Sequence, residues 1–220
     1  MSLSEDKNEL TNEDVVGLIV HAYNNFLSGM MGYSELTLLD CEKPSQIEHL
    51  NQSLESGNEA VHFGKALLAS IGRLQVNMKY YSLEELLKST IENSELEIAV
   101  DSFELYKNIR ILTDISWFKE CFMDLLLFIS TYGKTDTINI SLDLKEESKS
   151  LRVFIFTETL ILSDDEIKNL FVPFYSSKML LGEKDVGLSK AKGFFNQMKV
   201  DLNWNNGKGF LLSFDSVDRG

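Results

Sequence analysis

His21 is the residue in this 220-residue chain whose surroundings best suit chemistry. Small and polar residues share its side of a helical segment at three- and four-residue spacing, and these are Gly17, Asn24, Asn25, Ser28 and Gly32. Such a face leaves the imidazole accessible to a reacting group and lets a helix of another protein approach closely. The alternative interpretation is that the small residues serve packing between the protein's own helices.

The other two histidines carry weaker signals. Folding the N-terminal segments about Pro44 brings His62 within about one helical turn of His21, and an imidazole pair suits zinc. No third ligand is evident, so an ordinary position on the flank of a helix is the favoured interpretation of His62. His49 faces the turn and carries no signal.

Charge and cysteine content exclude several classes of protein. The chain has 34 acidic and 21 basic residues and a formal charge of −13, which repels nucleic acid and anionic lipid. Its apolar runs are too short to cross a bilayer, and the polar start, Met1–Leu10, does not resemble a secretory leader. Cys41 and Cys121 form no metal-spaced pair, which is typical of a reducing, cytoplasmic setting.

Two long helices must position His21. An apolar seam at three- and four-residue spacing predicts the first, and it comprises Val16, Ile19, Tyr23, Phe26 and Met30. Thr11 and Asp14 are spaced as a capping box, and Pro44 separates this segment from a second helical one that ends near Ile71. The two predict an antiparallel hairpin over residues 1–74. A lone hairpin buries too little surface, so we expect it to pair with the rest of the chain or with a second copy.

The pattern changes near Gln75, and residues 75–220 predict a separate domain. Short strands with alternating apolar residues follow one another in hairpins, mixed with helices over 82–93, 114–131, 164–171 and 186–198. This order predicts an α+β sandwich, with one sheet beneath helices.

Three segments resemble parts of the core of two-component sensor histidine kinases. The segment from His21 to Leu36 is similar to the family's phosphoacceptor helix, His-Asp/Glu-Phe-Asn-Asn-x-Leu followed by Gly-Tyr/Phe-x-Glu-Leu. The segment Leu170–Lys178 resembles the phenylalanine box of the ATP-binding domain, and Gly187-Leu188-Ser189 resembles the end of its last glycine box. The resemblance covers residues 11–216 and implies a dimeric four-helix bundle that carries two ATPase-like domains.

The nucleotide boxes depart from the family pattern. Phe128 stands where the resemblance places an asparagine that holds Mg²⁺, and a phenyl ring cannot coordinate this cation. The Asp-x-Gly-x-Gly box corresponds to residues 158–162, where Glu158 replaces the aspartate and Leu160 and Leu162 replace the glycines. The last glycine box corresponds to residues 183–188, where two phosphate-cradling glycines have become Glu183 and Asp185. Lys184 offsets part of this charge but does not restore the backbone geometry. We therefore expect this chain to bind no nucleotide cofactor.

The phosphoacceptor helix has lost the group that attack on ATP requires. In the family an acid follows the histidine and acts as the base, and here that position is Ala22. Asn25 corresponds to the polar residue that the family uses for chemistry with the receiver partner. The resemblance therefore implies two catalytic residues, His21 and Asn25.

The favoured function is a cytoplasmic, homodimeric histidine phosphotransferase of a phosphorelay, which moves a phosphoryl group between receiver aspartates without ATP. The receiver would supply Mg²⁺, and this chain would bind no metal, nucleic acid or membrane. The first alternative is a pseudokinase scaffold that regulates a kinase or response regulator without being phosphorylated. An active ATP-dependent histidine kinase ranks last.

Overall fold

The N-terminal part of the chain is a helical hairpin. A computed structural model describes residues 12–92, 94–101, 108–133, 137–145, 149–158, 160, 162–175, 186–205 and 208–219. Helix α1 spans Asn12–Leu39 and helix α2 spans Pro44–Ser70, and the two pack against each other. Helix α2 begins at Pro44, which suits the first turn because its missing N–H would have no partner there. Thr11, the proposed cap of the first helix, lies outside the described residues.

A mixed α+β domain follows the hairpin, so the predicted fold class is confirmed. Its helices are α3 (Leu83–Ile91), α4 (Ile115–Gly133), α5 (Asp164–Asn169) and α6 (Leu188–Gln197). Its strands are β1 (Lys79–Ser82), β2 (Glu97–Val100), β3 (Ile109–Thr113), β4 (Thr137–Lys145), β5 (Ser150–Phe156), β6 (Val200–Asn205), β7 (Gly209–Phe214) and β8 (Asp218–Arg219). The predicted boundary after residue 74 falls between α2 and β1.

The main sheet has five strands in the order β2-β4-β5-β7-β6. Strand β2 runs parallel to β4, and the other neighbours are antiparallel. Alternation places Leu151, Val153 and Ile155 of β5 in the core. Gly209 lets β7 lie close to β5, because a Cβ there would stand 2.0 Å from the Ile155 carbonyl oxygen.

The prediction of a single sheet was wrong. Strands β1, β3 and β8 form a second, three-stranded antiparallel sheet. Two of these strands are too short to show a pattern: β1 has four residues and β8 has two. Pairing between segments that are distant in sequence decides their conformation.

Candidate functional site

His21 and Asn25 lie one helical turn apart on α1, and both side chains are exposed. The four-residue spacing places them on the same face, within reach of one approaching group. No described side chain encloses them, so any site at His21 needs a second molecule to complete it.

The polar stripe around His21 divides between two roles. Gly17 is buried, and Asn24 faces α2, where a Cβ on Gly64 would stand 2.7 Å from the Asn24 Oδ1 atom. A Cβ on Gly57 would likewise stand 2.7 Å from the Cγ atom of Met31. Gly57 and Gly64, seven residues apart on α2, therefore let the two helices approach closely. The packing alternative is therefore correct for Gly17 and Asn24, whereas His21, Asn25 and Ser28 remain exposed.

The predicted apolar seam of α1 lies on the surface of the chain. Its large exposed side chains are Ile19, Tyr23, Phe26, Met30, Tyr33, Leu36 and Leu39. Phe26 is 73% exposed and Met30 67%, although both occupy the middle of a long helix. Successive helical residues are about 100° apart, so Ile19 and Tyr23, two positions from His21, point to the other side of α1. The reactive face and the apolar seam are therefore separate surfaces.

His62 connects the hairpin to the α/β domain. Its ring stacks on Trp117 of α4, with the centroids 5.7 Å apart and the planes 2° from parallel. Its Nε2 atom lies 3.1 Å from the Glu120 Oε1 atom. The favoured interpretation of His62 as an ordinary flank residue missed this contact. Among the described residues, no group of three or more histidine, cysteine, aspartate or glutamate side chains could hold a metal ion.

A buried lysine holds Glu120 in place. Lys190 of α6 is 3% exposed, and its Nζ atom lies 2.6 Å from Glu120 Oε1 and 3.0 Å from Asp124 Oδ2. Burying an ammonium group is costly unless carboxylates pair with it, and here two do so from successive turns of α4. The lysine thus joins α6 to α4 and fixes the carboxylate that meets His62.

Two further contacts complete what we call the α2 junction, which comprises His62 with Trp117 and Glu120, Phe63 with Phe174, and Gly193 with Ala69 and Ser70. Phe63 lies 6.3 Å from the ring of Phe174, in the phenylalanine box. A Cβ on Gly193 would stand 2.0 Å from the Ala69 carbonyl oxygen, so α6 rests directly on α2.

A cavity of about 710 Å³ opens beside this junction. Its wall comprises Tyr23, Ser56, Asn58, Glu59, Ala60, His62, Phe63, Ala66 and Lys190. Tyr23 belongs to the apolar seam, and the wall is mostly apolar. This groove is therefore continuous with the unpaired seam rather than with the His21 face.

Phe128 is part of the domain core. It is fully buried and contacts Tyr132, Phe210 and Trp204 at ring-centroid distances of 4.7, 5.7 and 6.4 Å. Aromatic rings at such distances contribute packing and quadrupole attraction beyond buried area. The position where the resemblance implies a metal ligand thus holds an apolar cluster.

The other altered boxes are only partly described. Leu160 and Leu162 are buried in the same core, and Glu158 is exposed. Glu183, Lys184 and Asp185 lie outside the described residues. Gly187 directly precedes α6 as its N-cap and has a φ of 70°, a conformation that favours glycine. Phe128, Leu160 and Leu162, the three described apolar replacements in the altered boxes, are therefore all part of the apolar core.

Carboxylates and phenols cluster at the edge of this core. The pKa of the Tyr132 hydroxyl is raised, mainly because the group is partly buried and to a smaller extent by the nearby Glu166 and Tyr175. The hydroxyl of Ser163 donates to Glu166 at 2.6 Å, its backbone N–H donates at 2.7 Å, and both lower the pKa of that carboxyl. Ser163 and Glu166 form the capping box of α5, at the start of the helix predicted over 164–171.

Comparison with solved structures shows which fold this is. Full-length ShkA in complex with AMPPNP has a TM-score of 0.61 and 15% identity over 96% of this chain, which spans 47% of ShkA. The Acinetobacter baumannii histidine kinase AdeS has a TM-score of 0.54 and 13% identity, covering 86% of this chain and 94% of AdeS. No protein-family profile and no curated protein matches the sequence. The chain therefore has the fold of a histidine kinase's dimerisation and ATPase-like core, and the likeness shows the fold alone.

Proposed function

We propose that this chain is a histidine phosphotransferase of a phosphorelay, which accepts a phosphoryl group from one receiver aspartate onto His21 and passes it to another. The observation that carries the proposal is the exposed pair of His21 and Asn25 on α1, left uncovered while the α/β domain is packed on α2. A receiver can reach this face without displacing any part of the chain that the structure describes.

The proposed transfer is balanced between the two proteins. A ring nitrogen of His21 attacks the phosphorus atom of an aspartyl phosphate, the bond between phosphorus and the aspartyl oxygen breaks, and the carboxylate leaves. The reverse reaction delivers the phosphoryl group to a second receiver. Asn25, one turn away, orients the reacting groups through its amide. The receiver supplies the Mg²⁺ ion, and this ion neutralises charge on the transferring phosphoryl group.

We propose that ATP takes no part in this reaction. Phe128, Leu160 and Leu162 support this proposal because all three are buried in the apolar core. A nucleotide site needs oxygen ligands for Mg²⁺ and open space for the base. ShkA was solved in complex with AMPPNP, so its fold is compatible with a nucleotide in that protein.

A homodimer is part of the same proposal. The exposed seam of α1 and the groove beside it are surfaces that a second hairpin would cover, giving a four-helix bundle. No helix among the described residues is long and apolar enough to span a membrane. Cys41 and Cys121 are not joined in a disulfide, which suits our proposal that the exchange occurs in the cytoplasm.

A scaffold is the second candidate. Ala22 follows His21, so the neighbouring position supplies no carboxylate to activate the imidazole. A scaffold would bind a kinase or response regulator and leave His21 unmodified.

One experiment separates the two functions. The purified chain is incubated with each member of a panel of radiolabelled, phosphorylated receivers from the same organism. A phosphotransferase acquires acid-labile label on this chain or drains at least one receiver. A scaffold binds a receiver or kinase in pull-down assays, but no phosphohistidine forms with any receiver in the panel.

A further inference from the structure

The α2 junction leaves no space at Gly193. A Cβ there would stand 2.0 Å from the Ala69 carbonyl oxygen and 2.8 Å from the Ser70 carbonyl carbon and oxygen. These are backbone atoms within and at the end of α2, so they cannot rotate away as a side chain can. Backbones this close are typical of a packed interior rather than of two surfaces in passing contact.

Most of the polar part of the junction is built within the α/β domain. Lys190, with both of its carboxylate partners, belongs to the α/β domain, and this pairing fixes the orientation of Glu120. Glu120 then accepts a hydrogen bond from His62, whose ring also lies flat on Trp117. The side chain of His62 is 56% exposed, so its pairing with Glu120 serves mainly to orient the junction. The close packing at Gly193 contributes more to the strength of the junction.

A third contact is made by Phe174, in the middle of the phenylalanine box. Phe174 has a φ of 66°, outside the usual range for a residue with a side chain, and its ring meets Phe63 of α2. Gln197, at the end of α6, donates a hydrogen bond to the Leu74 carbonyl oxygen at 2.6 Å, in the segment that leaves α2. Contacts from α4, α6 and the segment after α5 therefore converge on one side of α2.

We propose that the α2 junction is a fixed clamp, which makes the hairpin and the α/β domain move as one body. This proposal does not rest on the phosphotransferase function. Its consequence concerns His21, which is exposed while the clamp is closed. Group transfer needs the reacting atoms within about 3–3.5 Å of each other. The clamp thus prevents the α/β domain from swinging across to His21, and the reacting group must come from another molecule.

Single-molecule energy transfer tests the clamp. One dye is attached to the native Cys41 at the hairpin turn and the other to a Lys208→Cys substitution in the β6–β7 turn, while the buried Cys121 stays unlabelled. Labelled protein is diluted into excess unlabelled protein, so that only pairs within one chain are observed. The clamp predicts one narrow efficiency peak. A broad or multi-peaked distribution in the unmodified protein would overturn it.

Gly193→Ala opens the clamp, because its methyl group meets the Ala69 carbonyl, and we expect the peak to broaden at least twofold or to split. The matched control is Gly29→Ala in α1, where a Cβ meets nothing within 4 Å and the peak should not change. A double variant, His62→Ala/Phe63→Ala, trims only the hairpin side and should broaden the same peak. Near-ultraviolet circular dichroism reports whether the α/β domain stays folded. An unchanged peak in either variant with that signal intact contradicts the proposal.

Discussion

The hairpin and the α/β domain use their apolar residues in opposite ways. Six of the largest fully buried side chains are phenylalanines of the α/β domain, namely Phe118, Phe122, Phe128, Phe194, Phe195 and Phe210. In the hairpin, by contrast, seven large apolar side chains of α1 between Ile19 and Leu39 are exposed. The α/β domain has filled its interior, and the hairpin needs a partner to bury its seam.

This difference indicates where chemistry can take place. In the α/β domain, Phe128, Leu160 and Leu162 are buried in the apolar core, and our proposal is that no nucleotide binds there. The hairpin keeps an uncovered histidine and an uncovered apolar surface on opposite sides of one helix. Under the proposed function, a second copy would cover the apolar side of this helix and a reacting protein would approach the histidine on the other side.

Removing the imidazole should have the largest effect. His21→Ala should abolish transfer of label from any receiver that phosphorylates the unmodified protein, because the nucleophile is gone. The variant should stay folded, since His21 is exposed. The matched control is His62→Ala, which removes the imidazole from the other helix of the hairpin and should retain most of the transfer. Full labelling of His21→Ala would place the acceptor elsewhere.

The apolar seam offers the next test. We expect the unmodified protein to elute as a dimer of about twice 25.0 kDa by light scattering, with little dependence on salt. Phe26→Asp should give a species of half that mass or an unfolded chain, because it places a charge at a position that dimerisation would bury. Leu112→Asp, at an exposed apolar position of β3, serves as the control and should leave the dimer intact. A monomer at micromolar concentrations of the unmodified protein would rule out the dimer.

Removing a large side chain from the core of the α/β domain should destabilise the protein rather than create a ligand-binding site. Phe128→Ala should lower the free energy of unfolding by about 3–5 kcal/mol, since it removes a fully buried ring and leaves a cavity. Tyr80→Ala, at a half-exposed edge position, should cost less than about 1 kcal/mol. Urea denaturation followed by circular dichroism measures both. A small loss for Phe128→Ala would mean that the ring is not part of a tight core.

Local patterns predicted much of this fold because they depend on neighbouring residues. The break at Pro44 between the two helical segments is where the sequence placed it, and α5 lies within the helix predicted over 164–171. Period-two alternation and capping chemistry act within a few residues, so they can be read without knowing the tertiary structure.

The junction could not be predicted in this way. His62, Trp117 and Glu120 meet across 58 residues of sequence, and no local pattern connects them. The signal for Gly193 is a glycine inside a helix, which shows only that something comes close and not what it is. Local patterns also could not predict which residues of the polar stripe on α1 are buried, because the position of α2 decides this.

The capping box of α5 allows a smaller, pH-dependent test. Hydrogen bonds from Ser163 lower the pKa of Glu166, so they contribute stability above the unfolded pKa, and this contribution is lost as pH falls through the folded pKa. Ser163→Ala should lower Tm at pH 7 by roughly 2–4 °C, and by less at about pH 3. Ser82→Ala removes a cap of α3 that accepts from the Glu85 N–H, so its effect should not vary with pH in this manner. Equal pH dependence in the two variants would contradict the assignment.

The smallest effect should come from nucleotide, because we expect Mg-ATP and Mg-ADP to leave the stability of the protein unchanged. A ligand that binds only the folded state at 100 times its Kd raises the free energy of unfolding by about 2.7 kcal/mol. One millimolar Mg-ATP would therefore raise Tm by several degrees if the Kd were about 10 μM. Because buried Phe128, Leu160 and Leu162 fill the altered boxes, we expect no change in Tm with Mg-ATP or Mg-ADP and no saturable heat by calorimetry. Phe128→Asn should not create binding, because the two leucines remain. Saturable binding of Mg-ATP at tens of micromolar would restore the active-kinase interpretation and remove the contrast between the two parts of the molecule.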